Sequence, residues 1–301
     1  MTTRKEASFQ DQKLFQDQKL FEKQKLFEDP WQFENPNLFE PPKPSVQRAA
    51  SPAEYILFCQ GLTVSFQVGD ELKVLDGFTL GVKENEFLVV LGPGQCGKTV
   101  LLNCLAGLQE PQAGLVSFRG APVKGPGMER GLVFQKYALF PWQTVEENVA
   151  WGLKSKGVGL AERRSVAAKF IELVGLSGFE KAYPQALSGG MKQRVGLARA
   201  YASGPEVLLM DEPFGALDAQ TRYAMEKELL IIWEKEKRTV IFVTNNIEEA
   251  IFLGDRVVLM SKRPAKLKKE WEINIPHPRS YTDPVFLALR KEISAHYDMV
   301  L

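Results

Sequence analysis

Residues 91–99 read LGPGQCGKT. The spacing Gly92-x-x-x-x-Gly97-Lys98-Thr99 lies between an apolar run, NEFLVVLG, and a helix-patterned segment, TVLLNCLAGL. A glycine-rich turn in that context lets backbone N–H groups face inward onto phosphate oxygens. A helix beginning near Gly97 adds the positive end of its dipole. The stretch therefore reads as a phosphate-binding loop between a buried strand and a helix. The candidate nucleotide-binding residues are Gly92, Pro93, Gly94, Gln95, Cys96, Gly97, Lys98, Thr99 and Val100. Lys98 is expected to reach the β- and γ-phosphates as a point charge, and the Thr99 hydroxyl to ligate Mg²⁺. Cys96 reads as a small loop filler whose thiol is expected to titrate lower at a positive helix end.

A second element supplies acid. VLLMDEP ends an apolar strand in Asp211 and Glu212. Adjacent carboxylates at a buried strand end are costly unless something uses them. Asp211 is expected to hold Mg²⁺ through water, and Glu212 to orient and polarise an attacking water as general base. In open parallel sheets this carboxyl edge is where ligands bind.

The rest of the chain alternates strand and helix. Short β-like runs, YILFCQGLTVSFQV and LKVLDGFTLGV, meet at the turn VGDE. Strands are expected at GLVFQ, EVLLM and TVIFV. Helices are expected within 144–156 and 161–174, after LSGG, over 219–236, after TVIFV and near 284–296. Such alternation means an α/β fold with a largely parallel central sheet and an antiparallel β part near its start. Residues 136–200 are mostly helical and read as a helical subdomain. Thr144 and Glu147 have capping-box spacing, as do Asn246 and Glu249. The basic run KRPAKLKKE reads as a solvated face.

Residues 9–26 carry three copies of a six-residue unit, FQDQKL, FQDQKL and FEKQKL. Six residues advance an α-helix by about 600°, so successive Leu-Phe pairs point to different faces. With the Pro- and Asn-rich stretch that follows, residues 1–54 read as a disordered extension. The alternative is a string of Phe-containing docking segments. The domain reading is thus 1–54, then a 55–261 catalytic unit, then a 262–301 extension ending in a helix.

Composition excludes several classes. Of 301 residues, 45% are hydrophobic, and the formal net charge is +1, so nothing argues for a nucleic-acid surface. Three cysteines and two histidines make a zinc site improbable. The polar N-terminus is not a secretory signal, and no apolar run nears the roughly 20 residues of a membrane span. Any membrane role goes through a partner.

LSGGMKQRVGLARA, residues 187–200, resembles the signature of ABC-type ATPases, and the likeness extends from about Tyr55 to Ser261. Ser188, Gly189 and Gly190 open a helix, which makes a second anion-binding N-terminus in a chain that already has a phosphate loop. The resemblance implies a head-to-tail dimer of two copies clamping ATP and Mg²⁺, with Gln193 in the same signature and Asp218 of GALD at the seam. It implies that Gln135 touches Mg²⁺ and the attacking water, and that Phe66 stacks on adenine. It further implies that the loop exposing Tyr137, Leu139, Phe140 and Trp142 meets a membrane permease served by a solute-binding protein. IPHPRSYTDPVFLALRKEI is similar to the tail of the nitrate/sulfonate/taurine branch of importer ATPases.

One departure stands out. VTNNIEEA has Asn245 and Asn246 where the family has His and Asp. The His contacts the γ-phosphate; Asn245 can still donate a hydrogen bond but cannot accept positive charge. The expected function is an ATP-hydrolysing importer subunit, peripheral on the cytoplasmic side of the membrane, with Glu212, Gln135 and Asn245 as catalytic residues. Two rivals are a hydrolysis-impaired regulatory subunit, which Asn245 favours and Glu212 disfavours, and a soluble non-transport ATPase, which the single phosphate loop disfavours.

Overall fold

The computed structural model describes residues 54–136 and 138–299. The hexapeptide repeats, the rest of the 1–54 extension apart from Glu54, and Tyr137 lie outside the described residues. Strands β1 (Leu57–Val68) and β2 (Asp70–Val82) form a hairpin turned at Gly69, whose φ of 76° suits a residue without Cβ. β3 (Phe87–Leu91) leads through the loop into α1 (Lys98–Ala106). β4 (Ala113–Phe118) and β5 (Ala121–Pro122) return to the hairpin, and β6 (Arg130–Val133) enters a second sheet. Helices α2 (Val145–Ser155), α3 (Leu160–Leu173) and α4 (Gly189–Ala202) follow. Then come β7 (Val207–Asp211), α5 (Ala219–Glu236), β8 (Thr239–Thr244), α6 (Ile247–Leu253), β9 (Arg256–Met260), β10 (Leu267–Glu272) and α7 (Pro284–Asp298).

The larger sheet has the order β10-β9-β3-β8-β7-β6 and the smaller β2-β1-β4-β5. In the larger sheet β9, β3, β8, β7 and β6 are parallel, with β10 antiparallel at the edge. Its strands read as unbroken apolar runs because both faces are covered. Alternate residues serve two cores. Phe87, Val89, Leu91, Met210 and Phe242 pack with the helices, Tyr201 of α4 and Trp233 of α5 among them. Leu88, Val90, Leu209 and Val243 pack instead with α1 and the antiparallel hairpin. Helix α1 is thus held between the two sheets, which fixes the loop at its N-terminus.

Thr144 begins α2 with the expected capping box: its hydroxyl accepts from Glu147 N at 3.2 Å, and its own N–H donates to Glu147 Oε2 at 2.8 Å. The expected box at Asn246 is only half present. Asn246 Oδ1 caps α6 by accepting from Glu248 N (2.8 Å) and Glu249 N (3.3 Å). The Glu249 carboxylate is drawn instead to the Thr244 hydroxyl, and Asn246 N donates to Thr244 Oγ1 at 3.0 Å.

The chain beyond Ser261 is built into the same fold. Ala265 N donates to Val74 O (2.8 Å) and Asp76 N to Ala265 O (3.3 Å), stitching β2 to the segment before β10. The second half of the basic run is therefore an edge strand, with Trp271 turned inward and lysines along the rim. Trp271 Nε1 donates to Glu292 Oε1 at 2.8 Å, which docks α7. Buried Arg279 donates to the last carbonyls of α6, Ile251 O at 2.5 Å and Gly254 O at 2.7 Å. Burial pulls its guanidinium down to about 10.

Glu226 of α5 is buried and accepts the Tyr281 hydroxyl. Burial pushes its carboxyl up from 4.5 to about 8. The folded protein then keeps a proton that the unfolded chain releases, so stability falls as pH rises between those values. Glu226→Gln should raise the melting temperature by about 2–6 °C near pH 8.5 and change it little near pH 5. Calorimetry at both pH values checks this; an equal shift at both would contradict it.

Candidate active site

Strand β8 is the middle member of the site. It lies between β3 and β7, with Leu91 opposite Thr244 and Asp211 opposite Val243. At its end Thr244 O accepts from Gly92 N (3.3 Å) and Val243 O accepts from Glu212 N (3.0 Å). The phosphate loop, the acidic pair and the Thr-Asn-Asn seam therefore leave one sheet edge side by side. It is the carboxyl edge, where parallel sheets open to ligands.

The loop is shaped by close approach. Gly97 precedes α1 with φ 118°, and a Cβ there would stand 2.7 Å from Val74 Cγ1. It gives α1 no capping side chain, so first-turn N–H groups stay available to an anion. Lys98 is 4% exposed, and its Nζ donates to Gly92 O and Pro93 O at 2.8 Å each. Glu212 Oε1 lies 3.2 Å from the same Nζ. The lysine thus joins the loop to the second acidic residue. Cys96 is buried, and burial raises its thiol despite the neighbouring Lys98, which corrects the expected lowering.

Burial raises the Asp211 carboxyl, and the neighbouring Thr99 side chain partly offsets that rise. Glu212 adopts φ 42°, a left-handed conformation uncommon for a residue other than glycine and a form of strain found at functional sites. Gln135 is exposed, and its Nε2 lies 3.8 Å from where a Cβ on Gly215 would stand. The loop that Glu212 opens therefore packs towards Gln135.

A pocket of about 430 Å³ collects Phe66, Gln95, Lys98, Thr99, Val100 and Glu212. It also includes Leu72, Val74 and Arg263, which sequence reasoning missed. Leu72 was within reach of such reasoning, because the β1–β2 hairpin pairs it with Phe66. Arg263 sits in the basic run and carries no local signal.

The remaining candidates stand elsewhere. Ser188 caps α4, accepting from Met191 N at 3.3 Å, and Gly190 leaves 3.1 Å between a would-be Cβ and Thr221 Cγ2. Ser188, Gly189 and Gly190 do not line the pocket of their own chain. Gln193 is only 1% exposed, so it does not face outward with them. Asp218 caps α5 through Thr221 N (3.0 Å), and that hydrogen bonding holds its carboxyl low. Asn245 is exposed just past β8.

The 139–142 loop differs from expectation. Leu139 and Phe140 are half-buried, and Phe140 packs 4.6 Å from Trp151; Trp142 stands out at 71% exposed. Asn148, fully buried and not anticipated, shapes the turn. Its Oδ1 accepts from Phe140 N (2.9 Å) while its Nδ2 faces the carbonyls of Phe140, Gln143 and Thr144 at 3.0–3.1 Å.

The ABC transporter family model matches residues 75–215, from the hairpin to just beyond Glu212. An ABC transporter ATP-binding protein of Methanocaldococcus jannaschii is 53% identical over 235 residues, 78% of this chain and 88% of that protein. The chain belongs to the ABC transporter family. The aliphatic sulfonates import ATP-binding protein of Bacillus cereus is 44% identical over 227 residues, 75% of this chain and 89% of that protein. The solved dimeric structure of a bacterial ABC transporter cassette superposes with a TM-score of 0.66 at 29% identity, covering 73% of this chain and all of that one (100%). The fold is the ABC-type P-loop ATPase expected from the signature, and the relatives named for sulfonate and taurine import support the sulfonate/taurine-type importer branch. The cassette is an ATP hydrolase coupled to transport.

Lys98→Ala should lower ATP affinity by about two orders of magnitude, because it deletes the loop's point charge and strands Glu212. Titration with a fluorescent ATP analogue measures this. Affinity within about twofold of wild type would show that Lys98 is not the phosphate-binding lysine.

Proposed function

We propose that this cassette powers import of a small solute of the nitrate, sulfonate or taurine kind. The observation that carries the ATP-driven part of the reading is the single sheet edge on which β8 joins the phosphate loop to Asp211 and Glu212; the solute class is supported by the similarity to the sulfonates import protein. ATP is the substrate. Its phosphates meet the N–H groups of residues 94–99 and the Lys98 ammonium, and the adenine stacks against Phe66 with Leu72 beside it. Thr99 at the start of α1 and Asp211 at the end of β7 would supply hard oxygen donors suited to Mg²⁺, with Gln135 as a further oxygen ligand. When bound, Mg²⁺ offsets the charge of the β- and γ-phosphates.

Glu212 leaves its pairing with Lys98 as the phosphates take the lysine, and then accepts a proton from the attacking water. The water oxygen bonds to the γ-phosphorus, the bond to the bridging oxygen breaks, and ADP departs. Two copies act together: Ser188, Gly189 and Gly190 of one protomer face the nucleotide of its partner, and Asp218 lies at the seam. That the superposed cassette is dimeric supports this. Trp142 and the loop held by Asn148 dock on a permease, which a solute-binding protein feeds, so the chain sits on the cytoplasmic face of the membrane. Among the described residues no helix is long and apolar enough to cross a membrane.

Asn245 sets the rate. Its amide donates to the γ-phosphate but takes up no positive charge, so hydrolysis is slow rather than absent. Asn245→His should raise kcat with little change in ATP affinity, and Asn245→Ala should lower kcat by up to about 10²-fold. Steady-state ATPase assays of the assembled transporter test the order. A His variant no faster than wild type would remove Asn245 from the role.

A further inference from the structure

The last turn of α7 reaches the end of β8. Tyr297 O–H donates to the main-chain carbonyl of Asn245 at 3.3 Å, across 52 residues of sequence. That carbonyl belongs to the same peptide unit as Asn246 N–H, which donates to Thr244 Oγ1 at 3.0 Å. Both ends of the Asn245–Asn246 peptide are therefore pinned, the N–H from β8 and the C=O from α7.

The contact is supported along the whole helix. Phe286 and Ile293 are fully buried in the helical core. Ile293 and Tyr297 are four residues apart and share a face, so seating the first aims the second. Arg290 Nε pairs with Glu248 Oε1 of α6 at 3.2 Å, one turn from the seam. Tyr297 is half-buried there. Burial raises its phenol, so it stays a proton donor.

We infer that Tyr297 is a positioning residue for ATP hydrolysis: it holds the Asn245–Asn246 peptide so that the Asn245 amide is aimed at the γ-phosphate. The inference rests on the role proposed for Asn245. A backbone peptide free to rotate would spend part of its time with that amide turned away, which lowers kcat and leaves ground-state binding alone. The bond is long for O–H···O, so its effect is that of one modest neutral hydrogen bond.

The test is the steady-state ATPase of the assembled transporter with MgATP, for wild type, Tyr297→Phe, Asn245→Ala and the double variant. Phenylalanine keeps the ring, and the melting temperature of each protein is measured alongside. Tyr297→Phe should lower kcat by about three- to tenfold with KM and melting temperature unchanged, and should cost nothing further in the Asn245→Ala background. If Tyr297→Phe matches wild type while Asn245→Ala is slow, the positioning role is wrong and the Asn245 role stands. If Tyr297→Phe costs the same with and without Asn245, the tyrosine acts through something else and the inference fails. If Asn245→Ala matches wild type, both readings fall.

Discussion

The site depends on the hydrogen-bonded register of β8 with the strands on either side. Val243 O and Thr244 O are neighbours on one strand, and they receive Glu212 N and Gly92 N from opposite sides. No single loop conformation has to bring Glu212 and the phosphate loop together; the sheet does it. The Lys98–Glu212 pair then closes the gap above the strand, in a place where Lys98 is nearly removed from water. A charge so buried is stable only while paired, which keeps the apo loop from collapsing in some other way. In the proposed mechanism, substrate phosphates replace one partner of that lysine with another, so binding exchanges ion pairs and need not create a buried charge.

A second layer of order runs away from the sheet edge through α6. Thr244 donates to Glu249, and Arg222 of α5 stands 3.8 Å from the same carboxylate. At the far end of α6 Arg279 takes the orphan carbonyls of Ile251 and Gly254. Tyr281 stacks on Phe252 at 4.9 Å between centroids. The short helix that begins just after Asn246 is thus capped at both ends, and one of those ends is closed by chain beyond residue 261. A helix of seven residues has little stability of its own, so these caps decide where its first turn sits.

How much was legible in the sequence followed the range of the interactions concerned. The phosphate loop, the Asp211–Glu212 pair and the 219–236 helix are local patterns, visible because their chemistry depends on residues close in sequence. The strand Arg256–Met260 and the edge strand Leu267–Glu272 gave no separate expectation. The first is a five-residue apolar run that could serve either helix or strand. The second hides one inward tryptophan among lysines and glutamates. Glu249 illustrates the limit within a legible motif. Its spacing from Asn246 spells a capping box, yet a buried threonine hydroxyl competes for the carboxylate and wins. Arg263 and Tyr297 reach the site only through folding over tens of residues, and nothing in their flanking residues announces it; Asn148 acts on a turn close by in sequence, but no local pattern marks its side chain as the one that closes it.

The account turns on ATP being held between two copies of the chain, with Glu212 needed for cleavage and not for binding. The most direct test is size-exclusion chromatography of Glu212→Gln with and without MgATP, with bound nucleotide measured in each peak. The account predicts a shift from monomer to dimer that requires MgATP, with one ATP retained per protomer. A variant that carries ATP and stays monomeric would contradict it.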